Sequence, residues 1–113
     1  MEEKIKALIE SMTEVTQKKY LKWEKMALSG YYMTTIEDNV IYIGQVEDNT
    51  INFVINDEKG ESLINLQVHS NELYYEGLRQ LFQAVQISDN ELQEIVNKLL
   101  KSMKNESGSQ ESE

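Results

Sequence analysis

Residues 35–60, TIEDNVIYIGQVEDNTINFVINDEKG, contain three acidic pairs that recur every ten residues: Glu37-Asp38, Glu47-Asp48 and Asp57-Glu58. The runs between the pairs are rich in Ile, Val, Tyr, Thr and Phe, which favour strands. Asp and Asn favour turns because their side chains bond to local backbone, and Gly60 adopts positive φ without steric cost. The period is therefore that of one strand plus one turn in an antiparallel meander.

The same composition extends on both sides of this stretch. It predicts four strands, at residues 31–36, 40–46, 50–56 and 61–68. Consecutive turns of a meander lie at opposite ends of the sheet, so Glu47-Asp48 cannot share a site with the other two pairs. The first and third turns share an end but are about 10 Å apart, which is two strand spacings.

A helix is predicted before the sheet. Apolar residues follow the 3.6-residue period of one helical face at Ile5, Leu8, Ile9, Met12 and Val15. The pattern ends at residues 16–19. The segment after it alternates at Leu21 and Trp23, which favours an extended chain, although Met26 and Ala27 are also compatible with a longer helix.

Two helices are predicted after the sheet. Ser70 or Asn71 can cap the first, whose apolar face is formed by Tyr74, Leu78, Leu81, Phe82 and Val85. The second begins with a capping box, Ser88 with Glu91, and has an apolar face that we expect to be buried on this chain or on a second copy. That face consists of Leu92, Ile95, Val96, Leu99, Leu100 and Met103.

Together these elements predict an α+β fold: an N-terminal helix, a four-stranded antiparallel meander and two C-terminal helices. The predicted domain covers residues 1–104. Residues 105–113, NESGSQESE, contain no apolar side chain and are predicted to be a disordered polar tail.

Most of the negative charge lies in the middle of the chain. The 113 residues have a net charge of −9, and residues 29–77 hold nine acidic side chains against Lys59 alone. Such a surface repels nucleic acid, whose binding requires clustered Lys and Arg, and attracts basic proteins. The longest apolar runs are far below the ~20 residues of a membrane span, and no signal-peptide pattern is present. We therefore expect a cytoplasmic protein with no membrane partner.

No motif of a catalytic or cofactor-binding site occurs. The chain lacks HExxH, GxSxG, P-loop and dinucleotide-binding patterns, and it has no cysteine for thiol catalysis or metal ligation. His69, the single histidine, follows the fourth predicted strand, where a surface or capping role is favoured over catalysis. EF-hand spacing is absent, which leaves only weak calcium binding at an acidic turn. We expect a protein that is not an enzyme and has no cofactor and no metal.

The tryptophan and the tyrosines of the predicted sheet each have two interpretations, one structural and one as a binding surface. Trp23, the single tryptophan, is expected to supply buried apolar area, with an exposed binding anchor as the alternative. Tyrosines on the sheet, among them Tyr31 and Tyr42, are expected to be half-buried with wet hydroxyl groups. On an acidic sheet they would also suit an interface.

Several short motifs resemble those of a diffuse family of short proteins from low-GC Gram-positive bacteria and their prophages. The similarity covers residues 8–85. The chain differs from that pattern in lacking a glycine before the KW pair and in having a further helix and tail. The motifs are a helix ending at Thr16, a KW pair at Lys22-Trp23, YxTT at Tyr32, Thr34 and Thr35, a DExG turn at Asp57, Glu58 and Gly60, and LxxLFxxV at Leu78, Leu81, Phe82 and Val85.

The resemblance implies a helix–sheet–helix core without an enzymatic site, in a phage or mobile-element setting where small acidic domains often bind a host protein. Our first hypothesis is accordingly a small acidic binding or inhibitor protein, monomeric or homodimeric. Its partner would be a basic protein, such as one that binds nucleic acid. The predicted partner-binding residues are Glu37, Asp38, Glu47, Asp48, Asp57, Glu58, Tyr31 and Tyr42.

A homodimeric, chaperone-like or structural module is the alternative hypothesis. In it the apolar helix faces would form the working surface, and the acidic residues would only confer solubility.

Overall fold

The computed structural model describes the backbone of residues 2–27 and 29–108, and the side chains of residues 2–27 and 29–104. Helix α1 is followed by five strands and a long helix, α2. The elements are α1 (Glu2–Gln17), β1 (Glu24–Lys25), β2 (Tyr31–Ile36), β3 (Asn39–Glu47), β4 (Thr50–Asn56), β5 (Ser62–His69) and α2 (Tyr75–Gly108).

The five strands form one antiparallel sheet in the order β1-β2-β3-β4-β5. This is the predicted meander, and the α+β class is confirmed. The bounds of β2 to β5 differ from the predicted bounds by at most one residue at each end. The agreement follows from period-two alternation, because one face of each strand has to be apolar to meet the helices.

Both helices pack on one face of this sheet. In register across β2, β3, β4 and β5, the inward-facing side chains of one row are Tyr32, Ile43, Phe53 and Leu66. Leu78, Leu81 and Val85 of α2 are fully buried in the same core, which also takes in Ile9 and Met12 of α1. The Phe82 ring meets the Tyr32 ring edge-on, with 6.0 Å between centroids.

The segment between α1 and the sheet is fixed by two side-chain hydrogen bonds. Trp23 Nε1 donates to Thr16 Oγ1 at 3.0 Å inside the core, and Thr34 Oγ1 donates to the Lys22 carbonyl at 2.6 Å. Trp23 is 7 % exposed. It therefore supplies buried area, as expected, and the binding-anchor alternative is wrong.

The sheet has one strand more than predicted. Glu24 and Lys25 pair with Met33 and Tyr32 to form β1 at the sheet edge. Two residues are too few to show an alternating pattern, so only the extended character of this segment was visible in the sequence.

The two predicted C-terminal helices form one continuous helix, α2, and the predicted break at Ser88 is wrong. The apolar face that includes Leu78 and Val85 continues in phase into Leu92, so one continuous helix accommodates both halves. No proline lies in α2, and no glycine lies between Gly77 and Gly108. The start of α2 also differs: Asn71 and Tyr74 have positive φ, and the helix begins at Tyr75 rather than just after a cap at Ser70 or Asn71.

The C-terminal half of α2 exposes its apolar face. We call this face the α2 stripe: Leu92, Ile95, Val96, Leu99, Leu100 and Met103, which are 40–57 % exposed. The expected burial of the stripe on its own chain is therefore not seen. The helix ends at Gly108, inside the segment predicted to be a tail, and residues 109–113 lie outside the described residues.

Candidate protein-binding surface

The face of the sheet opposite the helices is open, and we call it the open face. Its positions alternate with the buried ones along β2 to β5. Those positions are Tyr31, Met33, Thr35, Val40, Tyr42, Gly44, Thr50, Asn52, Val54, Asn56, Asn65, Gln67 and His69. None of them is Asp, Glu, Lys or Arg, although the chain has a net charge of −9. The open face thus differs from the acidic turns, and depletion of charged residues is also a feature of the centres of protein interfaces.

An apolar row crosses the open face at its centre. Met33 of β2 pairs with Tyr42 of β3, and Tyr42 pairs with Val54 of β4. All three side chains are half-buried among their neighbours. They present aliphatic and aromatic surface of the kind found at the centre of protein interfaces.

Tyr31 lies flat across this face because β3 has a glycine beside it. A Cβ atom on Gly44 would come within 2.7 Å of the Tyr31 ring, which shows that the ring covers the Gly44 backbone. Beyond Gly44, Asn52 Nδ2 donates to the Tyr31 hydroxyl at 2.7 Å. The ring is thus held by packing and by a hydrogen bond, so a partner would meet it already ordered.

Acidic side chains surround the open face. At one end of the sheet lie the β2–β3 turn with Glu37 and Asp38 and the β4–β5 loop with Asp57 and Glu58. At the other end lies the β3–β4 turn with Glu47 and Asp48. Glu24 of β1 pairs with Met33, which places it on the same face at the β1 edge. The six predicted carboxylates therefore form no single cluster, and the uncharged surface lies between them.

The six carboxylates differ in exposure and in hydrogen bonding. Asp57 Oδ1 accepts backbone hydrogen bonds from Lys59 and Glu61 at 2.9 Å, so this oxygen closes the β4–β5 loop. Glu37, Asp38, Glu47, Asp48 and Glu58 are exposed. These five are better placed than Asp57 to meet a partner.

His69 lies on the open face at the end of β5, where it pairs with Thr50 of β4. Its Nδ1 lies 2.8 Å from Thr50 Oγ1, and its backbone N–H donates to Glu72 Oε1 at 2.8 Å. In the part of the chain that the structure describes, no three carboxylate or imidazole groups come close enough to share a metal ion. Within the same residues, no helix is long and apolar enough to cross a bilayer.

Tyr31 and Tyr42 were predicted as binding residues and both lie on the open face, whereas the other residues of this face were not predicted as binding residues. Met33, Val54 and Asn52 are unremarkable as residue types, and only strand register brings them together. A signal was present: once Ile41 and Ile43 are assigned inward, alternation assigns Tyr42 outward, and the short turns transfer that assignment to β2 and β4.

Comparison with protein-family models, with curated proteins and with solved structures finds no match to this chain. The similarity to short Gram-positive and prophage proteins thus stays a prediction.

Proposed function

We propose that this protein is a non-enzymatic binding module that docks the open face of its sheet, with the surrounding acidic turns, onto a basic surface of another protein. The observation that carries the proposal is the contrast within one face: an uncharged centre at Met33, Tyr42 and Val54, with exposed carboxylates at both ends.

This arrangement matches the usual anatomy of a protein interface. An apolar and aromatic centre supplies affinity because its burial removes apolar surface from water, and charges at the rim steer the approach of an oppositely charged partner. Tyr31 and Tyr42 would be the aromatic contacts. Glu37, Glu47 and Glu58 would face Lys and Arg side chains of the partner.

An inhibitor is one form of this function. If the basic partner binds nucleic acid, carboxylates at both ends of the open face would occupy the positions of phosphate groups and exclude the nucleic acid. The similarity to prophage proteins motivates this form, since such proteins often act on host proteins.

The alternative, a homodimeric chaperone-like or structural module, is favoured by a different surface, the exposed α2 stripe. A chaperone of this kind would bind apolar segments of its client through the stripe. Its binding would then persist in variants of the open face and would be lost on changes to α2.

The test is capture of a partner followed by binding of that partner in purified form. Three variants are compared with the native chain: Tyr42→Ala at the centre of the open face, Glu37→Lys with Glu58→Lys at the rim, and Glu10→Lys with Glu94→Lys as the control. The control reverses two exposed charges on the helices. The proposal predicts a basic partner whose binding is weakened by the first two variants and kept by the control. A partner that binds all four chains equally would contradict it.

A further inference from the structure

The α2 stripe lies on a helix that continues beyond the core of its own chain. At about 1.5 Å per residue, the 34 residues of α2 span about 51 Å. The longest dimension of the chain is 62 Å. Leu78 and Val85 in the first half of the helix are fully buried, whereas Leu92 and Leu99 in the second half are 54 % and 57 % exposed.

The spacing of the stripe is that of a helix-pairing seam. Leu92, Val96, Leu99 and Met103 are separated by four, three and four residues, the alternation that brings side chains to one side in coiled coils. Ile95 and Leu100 widen the seam on its two sides. All six positions of the seam between Leu92 and Met103 are apolar, which distinguishes this side of α2 from an ordinary solvated helix face.

The exposed area is sufficient for a stable pair. At roughly 100 Å² for each of six half-exposed side chains, each copy contributes about 600 Å², so two copies would bury about 1,200 Å². This reaches the lower limit of specific, stable interfaces. The α2 residues of the buried core are Leu78, Leu81, Phe82 and Val85, so the stripe lies beyond the part of α2 that packs on the sheet.

Charge along α2 indicates how two copies would be oriented. Asp89, Glu91 and Glu94 lie at the beginning of the stripe segment, and Lys98, Lys101 and Lys104 lie towards its end. Two parallel copies would align acidic with acidic and basic with basic. Two antiparallel copies would bring the acidic end of each stripe segment level with the lysine-rich end of the other, which is the favourable arrangement. Glu94 and Lys101 lie on the side of α2 opposite the stripe, so the closer contribution comes from Asp89, Glu91, Lys98 and Lys104.

We propose that the protein forms a two-fold symmetric homodimer in which the α2 stripes of two copies pack antiparallel. In this register Leu92 lies level with Met103 of the second copy, and Val96 lies level with its Leu99. The two-fold axis passes between Val96 and Leu99. The sheets project from opposite ends of the helix pair, so both open faces stay exposed. This inference stands apart from the proposed function, since it uses neither the open face nor the acidic turns.

A groove at the base of the stripe continues the proposed interface. It has a volume of about 190 Å³ and lies between the segment with Leu21 and Trp23 and the helix at Leu92 and Ile95. In the antiparallel register the end of the second copy's helix reaches this groove. Trp23, the single tryptophan, would therefore report dimer formation through its fluorescence.

Molar mass in solution tests the dimer. At about 50 µM, well above the Kd expected for a stable dimer, light scattering should give twice the chain mass of 13.1 kDa for the native protein. Leu99→Glu should give the mass of one chain with unchanged helix content, because Leu99 makes no contribution to the buried core. Asn97→Glu adds the same charge to the same helix off the stripe and should stay dimeric.

Disulfide trapping tests the orientation against a clean background, since the chain has no cysteine. A mixture of Leu92→Cys and Met103→Cys chains should form the mixed disulfide under mild oxidation, and Leu92→Cys alone should not. Cross-linking of Leu92→Cys alone would show a parallel pair and overturn the orientation. A native protein that is monomeric at 50 µM, with the α2 stripe folded back on its own chain or exposed, would overturn the dimer itself.

Discussion

The hydrogen bond between Trp23 and Thr16 joins two residues that sequence reasoning treated separately. The end of α1 and the KW pair each had a plain structural reason, and nothing in their spacing indicated contact. In the structure, Thr16 is buried at the last turn of α1 and accepts from the indole N–H. The direction in which the chain leaves α1 decides this contact, and that direction is a property of tertiary packing rather than of local pattern.

Removal of the acceptor should destabilise the fold measurably. Thr16→Val keeps the side-chain shape but leaves the buried Trp23 N–H unpaired, so we expect the free energy of unfolding to fall by about 1–3 kcal/mol. Trp23→Phe together with Thr16→Val should lose less than the sum of the two single changes, since both partners are then apolar. Urea unfolding followed by circular dichroism measures all three. If the loss in the double variant equalled the sum of the two single losses, the hydrogen bond would contribute nothing to stability.

Tyr32 gives the fold a pH dependence on the alkaline side. Burial raises the pKa of the Tyr32 hydroxyl, and the negative charge of Asp89 raises it further. Because the unfolded chain releases this proton first, the contribution of Tyr32 to stability is complete below about pH 10 and is lost as pH rises through the folded-state pKa. Unfolding midpoints at pH 9 to 11 should therefore fall more steeply for the native chain than for Tyr32→Phe. If the midpoints of the two chains fell equally steeply with pH, Tyr32 would not be the source of the pH dependence.

At the scale of elements, two identical tripeptides form different turns. The sequence EDN occurs at residues 37–39 and 47–49. In the first, Glu37 and Asp38 are the two turn residues, both with positive φ, and Asn39 begins β3. In the second, Glu47 ends β3 and Asn49 has φ 65° beside a shift of register. Strand pairing, not the tripeptide, selects the turn, so composition predicted where turns occur but not their geometry.

Two substitutions in the β2–β3 turn should stabilise the protein. Glu37 and Asp38 have φ of 52° and 69°, a region that glycine and asparagine occupy at lower energy. Glu37→Asn with Asp38→Gly should raise the free energy of unfolding by about 1–2 kcal/mol. The same pair of changes at Glu47 and Asp48, where neither residue has positive φ, serves as the control and should give no gain. Thermal melting measures both, and an equal gain in the control would show that the effect is one of charge.

The continuity of α2 has a physical reason that local signals did not contain. Ser88 with Glu91 satisfies the capping-box pattern, and a cap is worth about 1 kcal/mol. A break at Ser88 would interrupt backbone hydrogen bonds over a full turn, and the apolar face shows no phase shift that would require one. The capping-box pattern alone therefore predicted a break that the continuous apolar face does not need. The existence, type and approximate bounds of every other long element were predictable because their apolar periods are strong.

At the scale of the whole molecule, the distribution of charge along the sequence was informative, whereas the arrangement of that charge on the surface was not predictable. The sequence established an acidic region at residues 29–77. It could not show that the acidic side chains lie around an uncharged face, because that depends on which side of the sheet the helices cover. The open face and the α2 stripe are separate surfaces, so partner binding and self-association are independent in this account.

The most direct test of the account is the dissociation constant of the purified partner at low and high salt. For the native chain we expect Kd to rise at least about tenfold between 50 and 300 mM salt, because exposed carboxylates steer the complex. Tyr42→Ala should weaken binding at both salt concentrations with the salt dependence kept. Glu37→Lys with Glu58→Lys should remove most of the salt dependence. A Kd that is indifferent both to salt and to Tyr42→Ala would contradict the open face as the binding surface.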